Sequence, residues 1–406
     1  MNQELEELLQ ILPPDSQSRA RQSWNQLPAD VRAELALTYS AFSKLLQQKP
    51  SSVRDFLRLM RRATGPSLSE AWQVAILGPA NVGKSTLFNA LLNQQEAETG
   101  PVPGTTRHNH EVSAGLFNLV DTPGADHADQ DTGAHEKALA FEAAERAHFL
   151  IIVFDATSSV STGDKALFQE LKTFKKPYLV VLNKLDRIPK RQQSTVLRSA
   201  ARILGIPLET LLGVSALEKL GVEQLVLEMT ALEPQLLVQV GEQLPEFRRQ
   251  LSWQAVRRAA IASAFVALTP LPVVDLIPLA LLQGTMVTTL ARIHAQKLGP
   301  RTVLELGSTF GVGWLARMLF REVSKLAGAP GWVISASIAS SATLTIGFAA
   351  ITWFETGKKP EKQQLEDYAR QNQGWLAGVL ARLGKGKPDR ETLEKHLEQN
   401  LDQETG

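Results

Sequence analysis

The feature that most constrains the fold of this chain is a regular alternation, between residues 71 and 232, of short apolar runs with helix-length segments. The five apolar runs occupy residues 71–77, 116–121, 149–156, 177–183 and 211–216. Such nearly continuous apolar runs are typical of strands that helices cover on both faces. The alternation therefore predicts a doubly wound, mostly parallel sheet in an α/β domain.

On either side of this region the pattern changes to helical periodicity. The predicted parts, in chain order, are a helical region at 1–70, the α/β domain at 71–235, an apolar helical domain at 245–358 and amphipathic helices at 360–406. The predicted fold class is thus α/β for the central domain, flanked by N-terminal and C-terminal all-α domains.

Charge and cysteine content exclude several classes of function. The chain has 43 Lys and Arg against 42 Asp and Glu, a formal charge of +1, so nucleic acid is not indicated as a partner. It has no cysteine, which excludes disulfides, thiolate metal sites and cysteine nucleophiles. The acidic N-terminus lacks the basic start and apolar core of a secretory signal, so we expect a cytoplasmic protein.

A phosphate-binding loop follows the first apolar run. Residues 78–86, GPANVGKST, match the pattern G-x-x-x-x-G-K-[ST], with a predicted strand before the loop and a helix after it. Lys84 is expected to reach the terminal phosphates and Ser85 to hold Mg²⁺, while backbone N–H groups surround the phosphate chain. The remaining predicted contacts of this loop are Asn81, Val82, Gly83 and Thr86.

A second apolar run ends in the string DTPG at residues 121–124. Asp121 would place a carboxylate near the metal, and Gly124 would place a backbone N–H near the γ phosphate. Catalysis of phosphoryl transfer depends mostly on such positioning and charge stabilisation.

Two further strings predict which base is bound. Asn183, Lys184 and Asp186 follow another strand, and the Asp186 carboxylate can accept hydrogen bonds from the N1 and N2 positions of guanine. Adenine lacks that pair of donors. The string SAL then supplies Ser215, Ala216 and Leu217, and we expect the Ala216 N–H to meet the guanine O6. The predicted cofactors are therefore GTP or GDP with Mg²⁺.

The strings GPANVGKSTLFNALL, PVPGTTRH, DTPG, NKLD and SAL together resemble the Era/EngA/TrmE branch of translation-factor-class GTPases. The resemblance implies hydrolysis of GTP, with Lys84, Thr106 and Gly124 as the catalytic set. It also implies that Thr106, with Thr105 as the adjacent candidate, completes the Mg²⁺ shell beside Ser85 and Asp121 when GTP is bound. Asn81 matches the asparagine that many relatives use to help hold a potassium ion.

The residue after Gly124 is Ala125, where Ras-type enzymes carry the glutamine that orients the attacking water. Alanine cannot orient water, so we expect slow intrinsic hydrolysis. The missing group would come from another residue, a monovalent cation, a nucleotide-dependent dimer or a partner.

The apolar C-terminal domain has two interpretations. Residues 334–354 are uncharged and long enough to cross a bilayer, with small residues along one face. The sequence at 257–358 resembles a family of uncharacterised bacterial helical domains, often fused to GTPases, which implies contact with a membrane or a membrane protein through residues 250–355. Six Ser or Thr among the first dozen residues of the apolar segment favour a soluble bundle instead.

Three hypotheses for the whole protein follow from these features. The leading one is a nucleotide switch, cytoplasmic and membrane-associated, in which GTP controls a helical domain that engages membrane or a partner protein. The second is a GTPase of ribosome or RNA assembly, which the absence of a recognisable KH module weakens. The third is a membrane-remodelling scaffold under nucleotide control.

Overall fold

The computed structural model describes residues 72–92, 111–114, 116–120, 138, 140–268, 276–296, 329–384 and 386–404. These residues form two compact units, one ending at Leu251 and the other beginning at Ser252. The predicted helical region at 1–70 lies outside the described residues. The division of the chain into four parts stays a prediction.

The first unit is built on a six-stranded sheet. Its strands are β1 Val74–Leu77, β2 Glu111–Ala114, β3 Phe117–Val120, β4 Phe149–Asp155, β5 Tyr178–Asn183 and β6 Leu211–Gly213. Their spatial order is β2-β3-β1-β4-β5-β6, and all neighbours are parallel except the antiparallel pair β2 and β3. The α/β class with a mostly parallel sheet is confirmed.

Helices follow most of the strands in this unit. They are α1 Lys84–Leu92, α2 Thr162–Lys172, α3 Lys190–Leu204, α4 Val222–Leu232 and α5 Leu237–Gln243, and residues 140–146 are also helical. Short 3₁₀ turns at Leu185–Arg187, Leu208–Thr210, Pro234–Leu236 and Pro245–Phe247 connect some of them. Side chains and glycine mark where two of these helices begin and end. Ser161 and Asp164 form a reciprocal capping box at the start of α2, and Gly205, with φ 70°, ends α3.

The core of this unit lies between the sheet and its helices. Leu150, Ile152 and Phe154 alternate along β4 and point to one face, where they pack with Phe168 of α2 and Leu204 of α3. All five side chains are almost completely buried. Because β1, β3, β4, β5 and β6 run parallel, their carboxyl ends meet at one edge of the sheet, where ligands of open α/β sheets bind.

The antiparallel strand β2 was not predicted from the sequence. Its residues, EVSA, include a charge and a hydroxyl and do not form an apolar run. Among the described strands it pairs only with β3, with Glu111 opposite Val120, so it lies at the edge of the described sheet. An edge strand need not be apolar on both faces, so the apolar runs that identify central strands do not reveal it.

The second unit is helical. Its helices are α6 Arg248–Leu268, α7 Leu276–Ile293, α8 Gly331–Thr356, α9 Lys362–Ala381 and α10 Arg390–Glu404. Of α6, the residues from Ser252 onward belong to this unit. Helices α6, α7 and α8 lie within or overlap the predicted apolar helical domain, and α9 and α10 lie in the predicted amphipathic tail. Helix α8 packs against both α7 and α9.

Small and hydroxyl side chains let α8 pack closely on its neighbours. The predicted small face, made of Ala336, Ala339, Thr343, Gly347 and Ala350, is buried. An ideal Cβ built on Gly347 would lie 2.4 Å from Val256 Cγ1 of α6. Since real Cβ atoms essentially never approach another atom so closely, only glycine fits at this helix crossing without a shift.

Hydrogen bonds between side chains and backbone link these helices inside an apolar core. Ser340 Oγ donates to the carbonyl of Ala260 on α6 at 2.8 Å, and Ser341 Oγ donates to that of Ala369 on α9 at 2.8 Å. Thr343 Oγ1 lies 2.7 Å from Ser263 Oγ. These buried hydroxyls avoid the cost of an unpaired polar group by bonding to neighbouring helices.

We expect the substitution Gly347→Ala to lower the free energy of unfolding of the helical unit by about 1–3 kcal/mol, because the added methyl overlaps Val256. Urea unfolding followed by circular dichroism measures the loss. Adding Val256→Ala to that variant should recover part of it. Gly374→Ala on α9 is the matched control, since nothing lies within 4 Å of its ideal Cβ; it should be neutral or stabilising. A loss as large at Gly374 would contradict this packing.

Candidate functional site

The loop between β1 and α1 makes backbone approaches that only glycine allows. Gly78 has φ +150°, and an ideal Cβ there would lie 2.1 Å from the carbonyl oxygen of Val153. Gly83 has φ +90°, and its ideal Cβ would lie 2.4 Å from Asn183 Nδ2. Both glycines of the phosphate-binding pattern are therefore required by contacts with β4 and with the end of β5.

Lys84 is the first residue of α1 and only 4% of its surface is exposed. Its Nζ donates hydrogen bonds to the carbonyl oxygens of Gly78 and Pro79, each at 2.7 Å. The loop thus holds a nearly buried ammonium at the N-terminus of a helix, where the helix dipole adds positive potential. Ser85 and Thr86 are exposed in the same turn. This arrangement attracts anions such as a phosphate chain.

Asn183 ends β5 and joins two loops through its side-chain amide. Its Nδ2 donates to the carbonyl of Val82 in the phosphate-binding loop at 2.9 Å, and its Oδ1 accepts from the backbone N–H of Ala216 at 3.0 Å. Only 2% of Asn183 is exposed. The Ala216 N–H that we expected to face guanine is bonded to Asn183 in this structure, so its role toward the base stays a prediction.

Lys184 lies across the outer side of the same loop. It has a left-handed backbone with φ 63°, and its Nζ donates to the carbonyl of Asn81 at 2.5 Å and to Asp155 Oδ2 at 2.6 Å. Asn81 is exposed and has the same left-handed φ of 63°. The side chain of Lys184 therefore connects the ends of β4 and β5 to the middle of the loop.

Asp155 is a residue of this site that the sequence reasoning missed. Burial alone would raise the pKa of its carboxyl, but hydrogen bonds from Lys184 and Thr157 outweigh it and hold the pKa below the ordinary 3.8. Asp155 therefore carries its charge at neutral pH. The sequence offers only an aspartate near the end of an apolar run, and the pairing of β4 with β5 that sets Asp155 opposite Asn183 is seen only in the structure.

The segments predicted to recognise the base lie on the adjacent loops. Asp186 is exposed in the 3₁₀ turn after β5, and Ser215 is buried, with its Oγ accepting from the N–H of Glu218 at 3.1 Å. Gly213 brings the two segments together, since its ideal Cβ would lie 2.6 Å from Leu185 Cδ2. Leu217 is 69% exposed. The structure thus places these predicted residues at one edge of the sheet.

Three predicted residues lie outside the described part of the chain: Thr106, Asp121 and Gly124. Their roles toward Mg²⁺ and the γ phosphate stay predictions. Of the predicted metal contacts, Ser85 and Asn81 lie in the described part of the chain. Asn81 is exposed in the loop, and Ser85 is exposed in the first turn of α1. Among the described residues, His, Asp and Glu form no cluster suited to a metal ion. A cation in this site would thus depend on these exposed oxygens, the nucleotide and residues outside the described ranges.

Comparison with protein families finds two matches along the chain. Residues 73–184 match the family described as 50S ribosome-binding GTPase, a range that includes the phosphate-binding loop, Asp155 and Lys184. Residues 233–378 match the family described as domain of unknown function (DUF697), and that range includes α6, α7 and α8.

Curated relatives match part of the chain. The tRNA modification GTPase MnmE of Pseudothermotoga lettingae is 34% identical over 165 residues, which are 39% of this chain and 34% of the relative. GTPase Der of Thermotoga neapolitana is 34% identical over 32% of this chain and 31% of its own. GTPase Era of Halothermothrix orenii is 35% identical over 29% of this chain and 41% of its own length. The chain thus spans about a third to two-fifths of the length of these relatives.

Among solved structures, Aquifex aeolicus Era bound to GDP and AlF₄⁻ is 25% identical, and the alignment covers 50% of this chain and 69% of that one with a TM-score of 0.34. Era bound to MgGDPNP and a segment of 16S ribosomal RNA is 24% identical, with a TM-score of 0.33. The family matches and the curated relatives show that the chain carries a P-loop GTPase domain of the type shared by Era, Der and MnmE, joined to a helical domain that matches the DUF697 family.

Proposed function

We propose that this protein binds GTP, hydrolyses it to GDP and phosphate with Mg²⁺, and uses the cycle to switch its helical domain. The observation that carries the proposal is the closed loop around Lys84. Its ammonium is bonded to two carbonyls of the loop and nearly buried, while Asn183 and Lys184 bond to the outer side of the loop. A preformed cradle of this kind binds a phosphate chain without first having to be ordered.

Guanine selection is proposed for the loops beside this cradle. Asp186 is exposed one turn after Asn183, and the buried Asn183 is bonded to Ala216 on the other loop. A carboxylate at this place can accept both hydrogen bonds from the N1 and N2 donors of guanine. A base without that pair of donors would leave the carboxylate unpaired, and an unpaired polar group costs more than the lost bond alone.

The catalytic part of the proposal rests on the resemblance to Era-type GTPases. Ser85, Thr106 and Asp121 would hold Mg²⁺, and the Gly124 N–H would face the γ phosphate. Because Ala125 cannot orient water, hydrolysis by the isolated protein should be slow. A nucleotide-dependent dimer or a partner would then accelerate turnover by supplying the missing group.

We expect Asp186→Asn to exchange the preferred nucleotide from GTP to xanthosine triphosphate, because the amide oxygen and amino group reverse part of the hydrogen-bonding pattern offered to the base. Losing a charged, bidentate contact weakens GTP binding by about 100-fold or more. Dissociation constants for both nucleotides, measured by fluorescence titration with Mg²⁺, test this.

The control for that experiment is Lys84→Ala, which should weaken both nucleotides alike because it removes the phosphate contact and not the base contact. Unchanged preference for GTP in Asp186→Asn would refute the assigned base pocket. Wild-type protein that binds neither GTP nor GDP, or binds ATP equally well, would overturn the proposal as a whole.

Potassium-stimulated hydrolysis is the second part of the proposal. Asn81 stands in the middle of the loop, exposed and in a left-handed conformation, while Lys184 holds its carbonyl. The exposed side chain of Asn81 is therefore accessible to a cation at the loop. A potassium ion held there would supply positive charge to the phosphates, as the resemblance to Era-type GTPases implies.

We expect GTP turnover to be faster in potassium chloride than in sodium chloride at equal ionic strength, and Asn81→Ala to remove most of the difference. Phosphate release measured at saturating GTP tests this. Equal wild-type rates in the two salts would remove the potassium site from the proposal.

For the helical domain we propose contact with a membrane through residues 250–355. Within the described ranges, α8 is the one helix long and apolar enough to cross a bilayer, although most of it is buried and core helices of soluble proteins share these properties. Support comes from its C-terminal end, where the ammonium of Lys359 lies 5.1 Å from the centre of the Trp353 ring. Lys358 and Lys359 are both exposed. Tryptophan next to lysines is typical of segments at a bilayer surface.

We expect the full chain to bind vesicles of phosphatidylcholine with 30% phosphatidylserine more tightly than neutral vesicles, and the nucleotide analogue GDPNP to change that binding relative to GDP. Reversing both Lys358 and Lys359 to Glu should reduce the affinity for anionic vesicles at least tenfold, at about 1 kcal/mol for each charge. Flotation through a sucrose gradient measures it.

The matched control reverses two exposed lysines of the GTPase unit, Lys165 and Lys175. If both pairs of reversals lower the affinity for anionic vesicles equally, the attraction is a nonspecific effect of net charge. Failure of the wild type to float with either nucleotide would overturn the membrane proposal and leave contact with a partner protein as the role of this domain.

A further inference from the structure

We infer that Asp155 is a positioning residue that slows nucleotide release by fixing Lys184 against the phosphate-binding loop. The inference deepens the proposed function and rests on it. Nothing in the phosphate-binding, DTPG, NKLD or SAL strings includes this carboxylate, which stands at the end of β4.

The carboxylate of Asp155 is held by contacts on both oxygens. Its Oδ2 accepts from Lys184 Nζ at 2.6 Å, while its Oδ1 accepts from the backbone N–H and the hydroxyl of Thr157 at 2.8 and 2.6 Å. The exposed fractions of the Asp155 and Lys184 side chains are 16% and 23%, so water screens the ion pair only partly. A carboxylate fixed in this way gives the ammonium one preferred position.

That position places the Lys184 side chain along the outside of the loop. Its Nζ donates to the carbonyl of Asn81 at 2.5 Å, and its Cε lies 3.8 Å from the ideal Cβ position of Gly83. The lysine therefore covers the segment from Asn81 to Gly83. This segment leads directly to Lys84, whose ammonium the loop holds.

The backbone on both sides of this contact needs such support. Asn81 and Lys184 each have φ 63°, a backbone conformation that residues other than glycine adopt rarely. Strained positions of this kind persist only when surrounding contacts hold them. Without the Asp155 carboxylate, water competes for the ammonium, the carbonyl of Asn81 loses its donor, and the loop opens more often to release nucleotide.

The test measures the release of fluorescent mant-GDP from the purified full chain in excess GDP and Mg²⁺. We expect Asp155→Ala to accelerate release about tenfold, the size expected for the loss of one charged hydrogen bond. Asp155→Asn keeps an oxygen for Lys184 and should accelerate release less. The control Asp164→Asn alters a carboxylate that caps α2 through Ser161 and makes no contact with Lys184, so it should release at the wild-type rate.

A double-mutant cycle separates this role from a general loss of stability. Lys184→Met should accelerate release, and adding Asp155→Ala to that variant should accelerate it no further, because Asp155 acts through Lys184. Release from Asp155→Ala at the wild-type rate, or two accelerations that multiply, would refute the inference. If the wild type binds no mant-GDP, the proposed function itself fails, which is a different outcome from a normal wild type with a silent Asp155 variant.

Discussion

The hydrogen bonds of the Asn183 side chain are the interaction on which the site depends. One buried amide bonds to the carbonyl of Val82 and to the N–H of Ala216, so the phosphate-binding loop and the base-side loop share a single anchor at the end of β5. The close approach requires glycine at position 83, since any Cβ would overlap Nδ2. Parallel pairing of β4 with β5 then adds the ion pair of Asp155 and Lys184 beside this anchor.

In the helical unit, the apolar helix α8 carries several buried hydroxyl side chains. The buried hydroxyls of α8 bond to carbonyls of their own or neighbouring helices, and Ser340 and Ser341 link it to α6 and α9. Helices that satisfy polar groups among themselves can pack in water or in a bilayer. The composition of α8 therefore does not decide between the two environments, and the ring of Trp353 under Lys359 becomes the more informative feature.

Elements with strong local signals were predicted closely from the sequence. Local residues mark the ends of helices α3 and α4: Pro189 precedes α3, Gly205 ends it, and Gly221 precedes α4. The central strands were predicted from their apolar runs, whereas β2 was missed because an edge strand lacks that pattern. Asp155 was missed for another reason: a single aspartate at a strand end forms no motif until a partner is brought to it.

The sequence by itself determined the order of the elements, the phosphate-binding loop and the nucleotide motifs, because their chemistry depends on residues close together in the chain. Only the tertiary structure decided which residues separated by long stretches share a contact. Asn183 and Val82 lie 101 positions apart in the chain, and Lys184 and Asp155 lie 29 apart. Strand order brings these pairs together, and a helix crossing brings Gly347 to Val256. Local periodicity carries no information on such distances, because they follow from how whole sheets and helices bury their apolar faces together.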